Sequence, residues 1–333
     1  MRKVGILTFY YGSQNYGGNL QAYALCRYLR GLGYDAEQIC FTRAPARLSS
    51  KTPSSFLRSL RYRSERLPGQ LAAAFLKRRL RRRAGAVAGF NRKIPHGETV
   101  YTQYTVQDCT GYDIYIAGSD QIWNPDWMLP SYFLDFVPPG KTKLSYAASL
   151  GRHTLKEEEA AAIRDLLAGF SAVSVREQDA VELLAPLSSA AVEWVLDPTL
   201  LLSPGEWDEV CEERRIQGPY VFCYFLGESL ENRRLAAAFA RGRRLPLVCL
   251  PYLQGAFRKC DLGFGDTRLY DVTPGGFLSL IKHAAFVLTD SFHAAVFSEL
   301  YRKDCAALPR GNGEGMESRL YSLFSLFQDV PHF

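Results

Sequence analysis

Asp290, Ser291 and His293 stand together where an apolar strand pattern gives way to a helical one. Aspartate and serine are favoured at the start of a helix, and the free N–H groups at such a start attract anions. A histidine in the first helical turn faces that anion, and its ordinary pKa of about 6.5 lets it transfer protons near neutral pH. We therefore expect His293 to be catalytic and Ser291 to contact an anionic donor.

The residues AGSDQIWNP follow a predicted buried strand, Ile114 to Ala117. They offer a carboxylate, amide groups and an aromatic face, which together suit the hydroxyl groups and apolar faces of a sugar. We expect Asp120 to be the base or orienting group for a sugar acceptor, although an ordinary structural turn is the alternative. The same loop supplies the further acceptor contacts that we predict at Ser119, Gln121 and Trp123.

A turn rich in glycine and asparagine, YYGSQNYGGN, joins the first predicted strand to the first predicted helix. Glycine lets backbone N–H groups come close to a ligand, and the start of the following helix favours an anion. The turn matches neither a dinucleotide-binding motif nor a P-loop, so a plain connection explains it equally well. We assign acceptor contacts in this turn to Asn15, Gly17 and Asn19.

Three arginines stand in or beside predicted loops. Arg176 follows a short apolar strand pattern, and its planar guanidinium can hold an anion through two parallel hydrogen bonds. A surface ion pair with Glu177 or Asp179 explains that position equally well. Arg310 and Arg319 flank a glycine-rich stretch, which is either a cap over a cleft or a solvent-exposed loop.

These motifs need a framework that brings the ends of several strands together. Short apolar runs alternate with helical patterns along almost the whole chain, which is typical of βαβ units and parallel sheets. We predict an α/β fold with two Rossmann-like domains whose parallel sheets face a cleft, with the motifs at the carboxyl ends of the strands. The segment LDPTLLLSPGEW divides an acceptor-side domain, residues 1–200, from a donor-side domain, residues 201–333.

The composition excludes several classes of protein. The 333 residues are 47% hydrophobic and 22% charged, which is typical of a globular rather than a disordered chain. No apolar run approaches the roughly 18 residues that span a bilayer, and the opening MRKVGILTFYYGSQ is typical of a strand rather than a signal peptide. Eight cysteines without CxxC spacing indicate neither a zinc site nor a disulfide framework, so we expect a cytoplasmic protein without a metal.

One segment carries most of the positive charge. Residues 58–83 hold ten arginines and lysines against the single acid Glu65, a local charge of +9 in a chain with a net charge of +6. Apolar residues recur among the arginines at helical spacing, and Pro68-Gly69 divides this segment, which lies in the basic helical region 54–95 of the first domain, into two short predicted helices. The apolar stripe either packs on the first domain or leaves a basic face for peripheral contact with the inner face of the cell membrane. No DNA-reading module accompanies the arginines, so nucleic acid is not an expected partner.

Ordered blocks along the sequence resemble the polysaccharide pyruvyl transferase family. They include GILTFYYGSQNYGGNLQAYAL, YDIYIAGSDQIWNP, SVREQDAVELL, VLDPTLLL and LTDSFHAAVFSELYRKDCAALPR, and the resemblance covers nearly the whole chain. It implies two Rossmann-like domains similar to those of GT-B type glycosyltransferases. It also implies transfer of pyruvate, as a ketal, from phosphoenolpyruvate to a sugar of a surface or capsular polysaccharide or of its lipid-linked oligosaccharide precursor. Family members often have glycine after the histidine of the last block, where this chain has Ala294.

The chemistry of that transfer assigns a role to each motif. Two sugar hydroxyls add to C2 of phosphoenolpyruvate, C3 takes a proton and phosphate leaves, so a proton donor and cations are needed around the donor. His293 is the expected proton donor and Asp120 the expected acceptor-side base, and no cofactor is implied. The donor would be held by Arg176, Ser291, Arg310 and Arg319. A nucleotide-sugar-dependent glycosyltransferase of the same fold and a catalytically idle glycan sensor are the alternatives.

Overall fold

The computed structural model describes residues 1–44, 70–252, 258–310 and 318–325 of the chain, and two five-stranded parallel sheets dominate them. The first sheet consists of β1 (Lys3–Leu7), β2 (Asp35–Phe41), β3 (His96–Tyr101), β4 (Ile114–Ala117) and β5 (Thr142–Ser145), in the order β3-β2-β1-β4-β5. A pair of short strands, β6 (Val173–Val175) and β7 (Val192–Trp194), continues this sheet through isolated bridges from Leu144 to Ala172 and from Ala148 to Val175. The second sheet consists of β8 (Val221–Tyr224), β9 (Leu247–Cys249), β10 (Thr267–Arg268), β11 (Phe286–Thr289) and β12 (Asp304–Ala307), in the order β10-β9-β8-β11-β12.

Helices connect the strands and cover the sheets. In the first half these are α1 (Tyr16–Gly31), α2 (Gln70–Asn91), α3 (Glu157–Leu167) and α4 (Gln178–Leu184). The helices that follow are α5 (Pro204–Asp208), α6 (Leu230–Arg243), α7 (Pro274–Lys282), α8 (Phe292–Leu300) and α9 (Ser318–Phe324). Central strands such as β8 are buried along their whole length, as expected for parallel strands covered on both faces.

Two elements differ from the sequence pattern for identifiable reasons. Apolar spacing alone predicts that the first helix starts at Leu20, but α1 starts at Tyr16 because the Asn15 side chain accepts hydrogen bonds from Gly17 N at 3.0 Å and Gly18 N at 3.4 Å. The strand β3 lacks an apolar run because it lies at the sheet edge and is largely exposed, so the pattern did not reveal it.

The residues Pro68-Gly69, which were predicted to divide two helices, lie outside the described residues. The helix α2 begins directly after them and is continuous.

The two halves share a buried core that contains α1. The Tyr16 ring stacks on Phe277 of α7 with ring centres 4.9 Å apart, and the Tyr16 hydroxyl donates to Val272 O at 3.1 Å. Tyr23 of α1 packs between Phe90 of α2 and Trp207 of α5 in the same core. The helices α1 and α2 therefore connect the first sheet to elements of the second half.

The two large sheets lie on either side of residue 200, since β7 ends at Trp194 and β8 begins at Val221. The domain boundary placed at that residue stays a prediction. The last helix, α9, lies against α4 of the first half, where Gln178 N–H donates to Ser322 Oγ at 3.3 Å. Across the described residues, no helix combines the length and the apolar character needed to cross a membrane.

Candidate active site

Asp197 lies at the centre of a buried polar cluster. Its Oδ2 atom accepts hydrogen bonds from Ser119 Oγ at 2.8 Å and Arg176 Nη1 at 2.9 Å, and His293 Nε2 lies 3.8 Å away. Thr199 holds the other oxygen, because its N–H and hydroxyl groups donate to Oδ1 at 3.0 and 2.6 Å. All five residues are buried. The cluster therefore joins three predicted site residues through a carboxylate that the motif analysis did not single out.

The charges of this cluster keep Asp197 ionised. Burial by itself raises the pKa of the Asp197 carboxyl, but the positive charges of His293 and Arg176 and the hydrogen bonds from Thr199 lower that pKa to about 2. Burial lowers the pKa of Arg176, whereas neighbouring carboxylates, chiefly Asp197, raise it above its ordinary value. A carboxylate held in this way can orient an imidazole and stabilise its protonated form. The part of the chain that the structure describes contains no group of three or more His, Cys, Asp or Glu side chains arranged to hold a metal ion.

Arg176 is an enclosed cation with unused hydrogen-bond donors. Its side chain is 1% exposed, its guanidinium carbon lies 4.4 Å from the centre of the Phe292 ring, and its Nη2 atom lies 3.8 Å from Asp120 Oδ1. Among the described residues, its Nε and Nη2 atoms have no hydrogen-bond acceptor. Such a guanidinium is suited to a carboxylate or phosphate oxygen. A surface ion pair with Glu177 or Asp179, the alternative for this position, does not fit so buried a side chain.

His293 lies against the start of α1. The helix α8 that carries it follows β11, and its N-cap is Ser291, whose Oγ accepts from Ala294 N–H at 3.5 Å. A Cβ atom built on Gly17 would lie 2.7 Å from His293 Cε1 and closer still to Nδ1. Glycine is therefore required at position 17 if the imidazole is to keep this place between the starts of α1 and α8.

Asp120 occupies a strained backbone position just after β4. Its φ angle is +76°, a conformation that costs roughly 1–3 kcal/mol in residues other than glycine. Its carbonyl oxygen accepts from Ile122 N at 2.7 Å and Ser149 N at 3.0 Å, and its Oδ1 atom accepts from Gln121 N at 2.9 Å. A Cβ atom built on Gly18 would lie 3.5 Å from Asp120 Oδ2. Strained backbone positions that surrounding contacts stabilise are frequent at functional sites. Here the backbone conformation of Asp120 places its carboxylate beside the start of α1.

A cavity of about 420 Å³ opens at the carboxyl ends of the first sheet, with Asp120 in its wall. Its volume lies within the range of roughly 300–1,000 Å³ that is typical of small-molecule sites. The walls combine a few polar groups with aromatic rings, a combination that suits a sugar with apolar faces and hydroxyl groups. The aromatic lining consists of Phe9, Tyr10, Tyr11, Phe41, Trp127 and Tyr132.

The residues predicted to bind the acceptor divide into two groups. Asn15 and Gln121 line the 420 Å³ cavity. Asn19 and Ser119 do not line it: Asn19 Nδ2 donates to Ser13 O at 3.2 Å and to Asn15 O at 2.7 Å, whereas Ser119 donates to the Asp197 carboxylate. These two residues therefore shape the loops around the cavity, and Gly17 makes room for the histidine.

Trp123 lies in the core of the first half rather than in the cavity. It is fully buried, stacks on Phe133 with ring centres 4.8 Å apart, and donates from Nε1 to Tyr132 O at 3.0 Å. The sequence expectation that its ring contacts a sugar is therefore corrected, because the ring is enclosed by protein. The tryptophan in the cavity wall is Trp127, whose Nε1 donates to Gln121 O at 3.0 Å.

Arg310 lies on the second-sheet side of the start of α8. Its Nη2 atom donates to Asp290 O at 2.9 Å, and burial lowers the pKa of its guanidinium, although the charge of Asp290 acts in the opposite direction. The Asp290 carboxylate accepts from Leu226 N at 2.6 Å and Gly227 N at 2.7 Å, which joins the ends of β8 and β11. The Arg319 side chain lies outside the described residues, so its contact with the donor stays a prediction.

The predicted motifs did not include Asp197, which joins the site residues, or Arg83, a buried residue beside the start of α1. Arg83 is a buried member of the basic segment: its Nη2 atom donates to Gln14 O at 3.1 Å, and its guanidinium carbon lies 4.5 Å from the centre of the Tyr16 ring. Nothing in the sequence distinguishes it from the other arginines of that segment. Asp197 could have been found, because it stands in VLDPTLLL, one of the blocks that carry the family resemblance.

The family model for polysaccharide pyruvyl transferase matches residues 15–312, a range that includes α1, Asp120, Asp197 and His293. The chain belongs to the polysaccharide pyruvyl transferase family. Membership makes it a pyruvyl transferase of polysaccharide biosynthesis with a sugar or polysaccharide as its acceptor. No curated protein matches the sequence at a significant level.

Two solved structures show that this family member shares its fold with sugar-nucleotide epimerases. The UDP-GlcNAc 2-epimerase of Methanocaldococcus jannaschii matches with a TM-score of 0.52 at 11% identity, over 97% of this chain and 92% of that chain. A Listeria monocytogenes structure named for UDP-N-acetylglucosamine 2-epimerase matches with a TM-score of 0.50 at 11% identity, over 98% and 88% of the two chains. Both have the two Rossmann-like domains of the GT-B type, so the predicted fold class is confirmed. At this identity the likeness concerns the fold alone.

Proposed function

We propose that this member of the family transfers pyruvate from phosphoenolpyruvate to two hydroxyl groups of a sugar, forming a ketal and releasing phosphate. The observation that carries the proposal is that three features lie next to one another. These are a buried arginine with unused donors, a histidine beside an ionised carboxylate, and a cavity of sugar size with Asp120 in its wall. Arg176 Nη2 lies 3.8 Å from Asp120 Oδ1, so the proposed donor contact and the proposed acceptor-side base are neighbours.

The proposed reaction balances without a cofactor. C2 of phosphoenolpyruvate forms bonds to both sugar oxygens and loses its bond to the phosphate oxygen, which departs with the electron pair. C3 takes a proton and becomes a methyl group. The two protons lost by the sugar hydroxyls are thereby balanced by the proton gained at C3 and the one gained by phosphate. Positive charge develops at C2 and negative charge on the leaving phosphate, and the site must stabilise both.

Five residues of the site have a role in this scheme. His293 delivers a proton, and the Asp197 carboxylate orients its ring and favours its charged form. Arg176 holds the carboxylate or phosphate of the donor with its unused N–H groups. Asp120 accepts the proton of the attacking hydroxyl from the cavity side. Arg310, whose Nη2 donates to Asp290 O beside the start of α8, is the second cation that we assign to the donor.

The proposed acceptor is a sugar of a surface or capsular polysaccharide or of its lipid-linked oligosaccharide precursor. Because phosphoenolpyruvate is made in the cytoplasm, we place the reaction on the cytoplasmic side of the cell membrane. The aromatic walls of the 420 Å³ cavity support a sugar acceptor, and the arginines around Asp197 and Asp290 support an anionic donor.

Phosphate release from phosphoenolpyruvate, with galactosides, glucosides and mannosides as acceptors, tests the proposal. We expect release that depends on the acceptor, together with a pyruvylated product in the mass spectrum. His293→Ala should lower turnover by about 10²–10⁴-fold. The matched control is His96→Ala, because His96 is exposed at the amino end of β3, away from the carboxyl ends of the strands, and turnover should not change.

A nucleotide-sugar-dependent reaction would give a different result. Ligands that bind the native state raise its thermal stability. Stabilisation by UDP-GlcNAc but not by phosphoenolpyruvate, without phosphate release for any acceptor, would contradict the proposed reaction.

A further inference from the structure

A second cavity, of about 280 Å³, lies between α2 and the edge of the second sheet. The helix α2 contributes Arg78, Arg79 and Arg82, which lie within about one helical turn of each other. The opposite wall starts at Arg268 in β10 and continues to Asp271. This arginine pocket is therefore built by both halves of the molecule, whereas the cluster around Asp197 lies elsewhere, at the carboxyl ends of other strands.

The arginine pocket has an excess of positive charge. Four arginines line it, and Asp271 carries the one carboxylate among the described residues of its lining. That carboxylate is already engaged, because its Oδ1 atom accepts from Arg215 Nη2 at 3.2 Å, outside the pocket lining. Guanidinium groups gathered in one cavity repel each other, and a bound anion removes that repulsion.

The walls of the arginine pocket are held in place by packing. The Arg79 guanidinium carbon lies 3.7 Å from the centre of the Tyr270 ring, a cation–π contact between the two walls. Arg83, one turn further along α2, is buried against Tyr16, and the Tyr16 hydroxyl donates to Val272 O at 3.1 Å. The segment that forms one wall of the pocket is thus also part of the contact between the halves, so the backbone that carries the arginines is fixed before a ligand arrives.

We infer that the arginine pocket binds a diphosphate group. Its volume of about 280 Å³ falls just below the roughly 300–1,000 Å³ of sites that enclose whole ligands, so it fits a charged group rather than a complete sugar nucleotide. A guanidinium can donate two parallel hydrogen bonds to a phosphate. Arg78 and Arg82 on one wall and Arg268 on the other match the two phosphorus centres of a diphosphate better than a single carboxylate. Nucleoside diphosphates and isoprenyl diphosphates both carry this group.

Calorimetric titration of the full-length protein with inorganic diphosphate, at 0.1 M salt and without donor or acceptor, tests the inference. The pocket variant is Arg78→Ser/Arg82→Ser, two exposed side chains whose loss leaves the core intact. The matched control is Lys77→Ser/Arg81→Ser, which removes the same charge from exposed positions of the same helix outside the pocket lining. We expect saturable binding to the wild type, a loss of tenfold or more in the pocket variant, and a change of less than about threefold in the control.

Arg268→Ser tests the opposite wall independently and should weaken the binding of diphosphate by a similar factor. Equal losses in the pocket variant and the matched control would mean that only the general charge of α2 attracts the anion, and would overturn the inference. Competition between diphosphate and phosphoenolpyruvate in the wild type would overturn it as well, because it would place both ligands in the cluster around Asp197. Absence of saturable binding at millimolar diphosphate would do the same.

The same titration with uridine diphosphate and with farnesyl diphosphate distinguishes the two sources of the group. Tighter binding of either compound than of inorganic diphosphate, lost in the pocket variant, supports the inference and identifies the source. Tighter binding that the pocket variant retains contradicts it. Since no step of the titration requires turnover, failure of the inference and failure of the proposed pyruvyl transfer remain separate results.

Discussion

Replacing Gly17 by alanine tests whether His293 acts from the place that the structure gives it. The added methyl group would lie 2.7 Å from Cε1 of the imidazole and closer to Nδ1, whereas ordinary contacts of a Cβ atom begin at 3.4 Å. The ring or the start of α1 must therefore move by about 1 Å, because close-packed interiors offer no spare volume. A displacement of about 1 Å in a reacting group can cost roughly a hundredfold in rate.

We expect Gly17→Ala to lower kcat for phosphate release about 100-fold. KM for phosphoenolpyruvate should change much less, because Arg176 is not touched. The matched control is Gly31→Ala in the same helix, where no atom lies within 4 Å of the added Cβ. Alanine is favoured over glycine in a helix by roughly 0.5–1 kcal/mol, so the control should be slightly more stable and fully active.

The double variant Gly17→Ala/His293→Ala separates displacement of the ring from general damage to α1. Overpacking costs typically about 1–3 kcal/mol, and removal of the imidazole relieves it. The double variant should therefore unfold at a higher urea concentration than Gly17→Ala, yet be as inactive as His293→Ala. A kcat of Gly17→Ala within about threefold of the wild type would refute the assignment of His293. A double variant no more stable than Gly17→Ala would refute the steric explanation.

Three other expectations concern charge. The pKa of Asp197, about 2, is below the ordinary aspartate value of about 3.9. Ionised Asp197 therefore stabilises the fold by roughly 2–3 kcal/mol above pH 4, and this contribution disappears as the pH falls through 2. Asp197→Asn should lack this part of the acid dependence in urea unfolding at pH 5 and pH 3, and an unaltered difference would show that another carboxyl is responsible. Arg176→Lys keeps the charge but loses the fork, so the Kd for phosphoenolpyruvate should rise at least tenfold by calorimetry; an unchanged Kd would exclude direct donor contact. If the basic segment 58–83 contacts membranes, flotation with anionic vesicles should exceed that with neutral vesicles at low salt and fall at high salt, whereas negligible flotation with both would contradict the contact.

The strands at the centre of each sheet could be predicted from the sequence because both of their faces are covered by apolar protein. The observed bounds of β4, Ile114–Ala117, and of β11, Phe286–Thr289, are those that the apolar runs indicate. Both strands are nearly covered on two faces, so each is a short apolar run that ends where polar loop residues begin. The edge strand β3 has no such surroundings, and its sequence HGETVY carries no apolar run.

The reacting groups could be predicted better than the group that organises them. His293, Arg176 and Ser119 each follow closely on a buried strand, and the carboxyl ends of parallel strands form one edge of a sheet. Asp197 follows β7, a short strand that is partly exposed, and its contact with Ser119, 78 residues earlier, forms only when the chain is folded. Trp123 was predicted to contact a sugar because tryptophan suits a sugar and the residue stands in the loop after β4. The backbone of that loop directs the Trp123 ring into the core, and Trp127 lies in the cavity wall instead.

The described side chains of α2 divide between a buried face and a basic face. Val87 and Phe90 lie in the shared core and Arg83 is buried against Tyr16, whereas most of the apolar stripe of segment 58–83 lies outside the described side chains, so its packing stays a prediction. The other face leaves basic side chains exposed, and some of them line a cavity with Arg268. All these arginines carry the same charge, but Arg83 is buried where the two halves meet, whereas Arg78 and Arg82 are exposed. A single amphipathic helix can therefore fix the relative position of the sheets and present a charged site beside their contact.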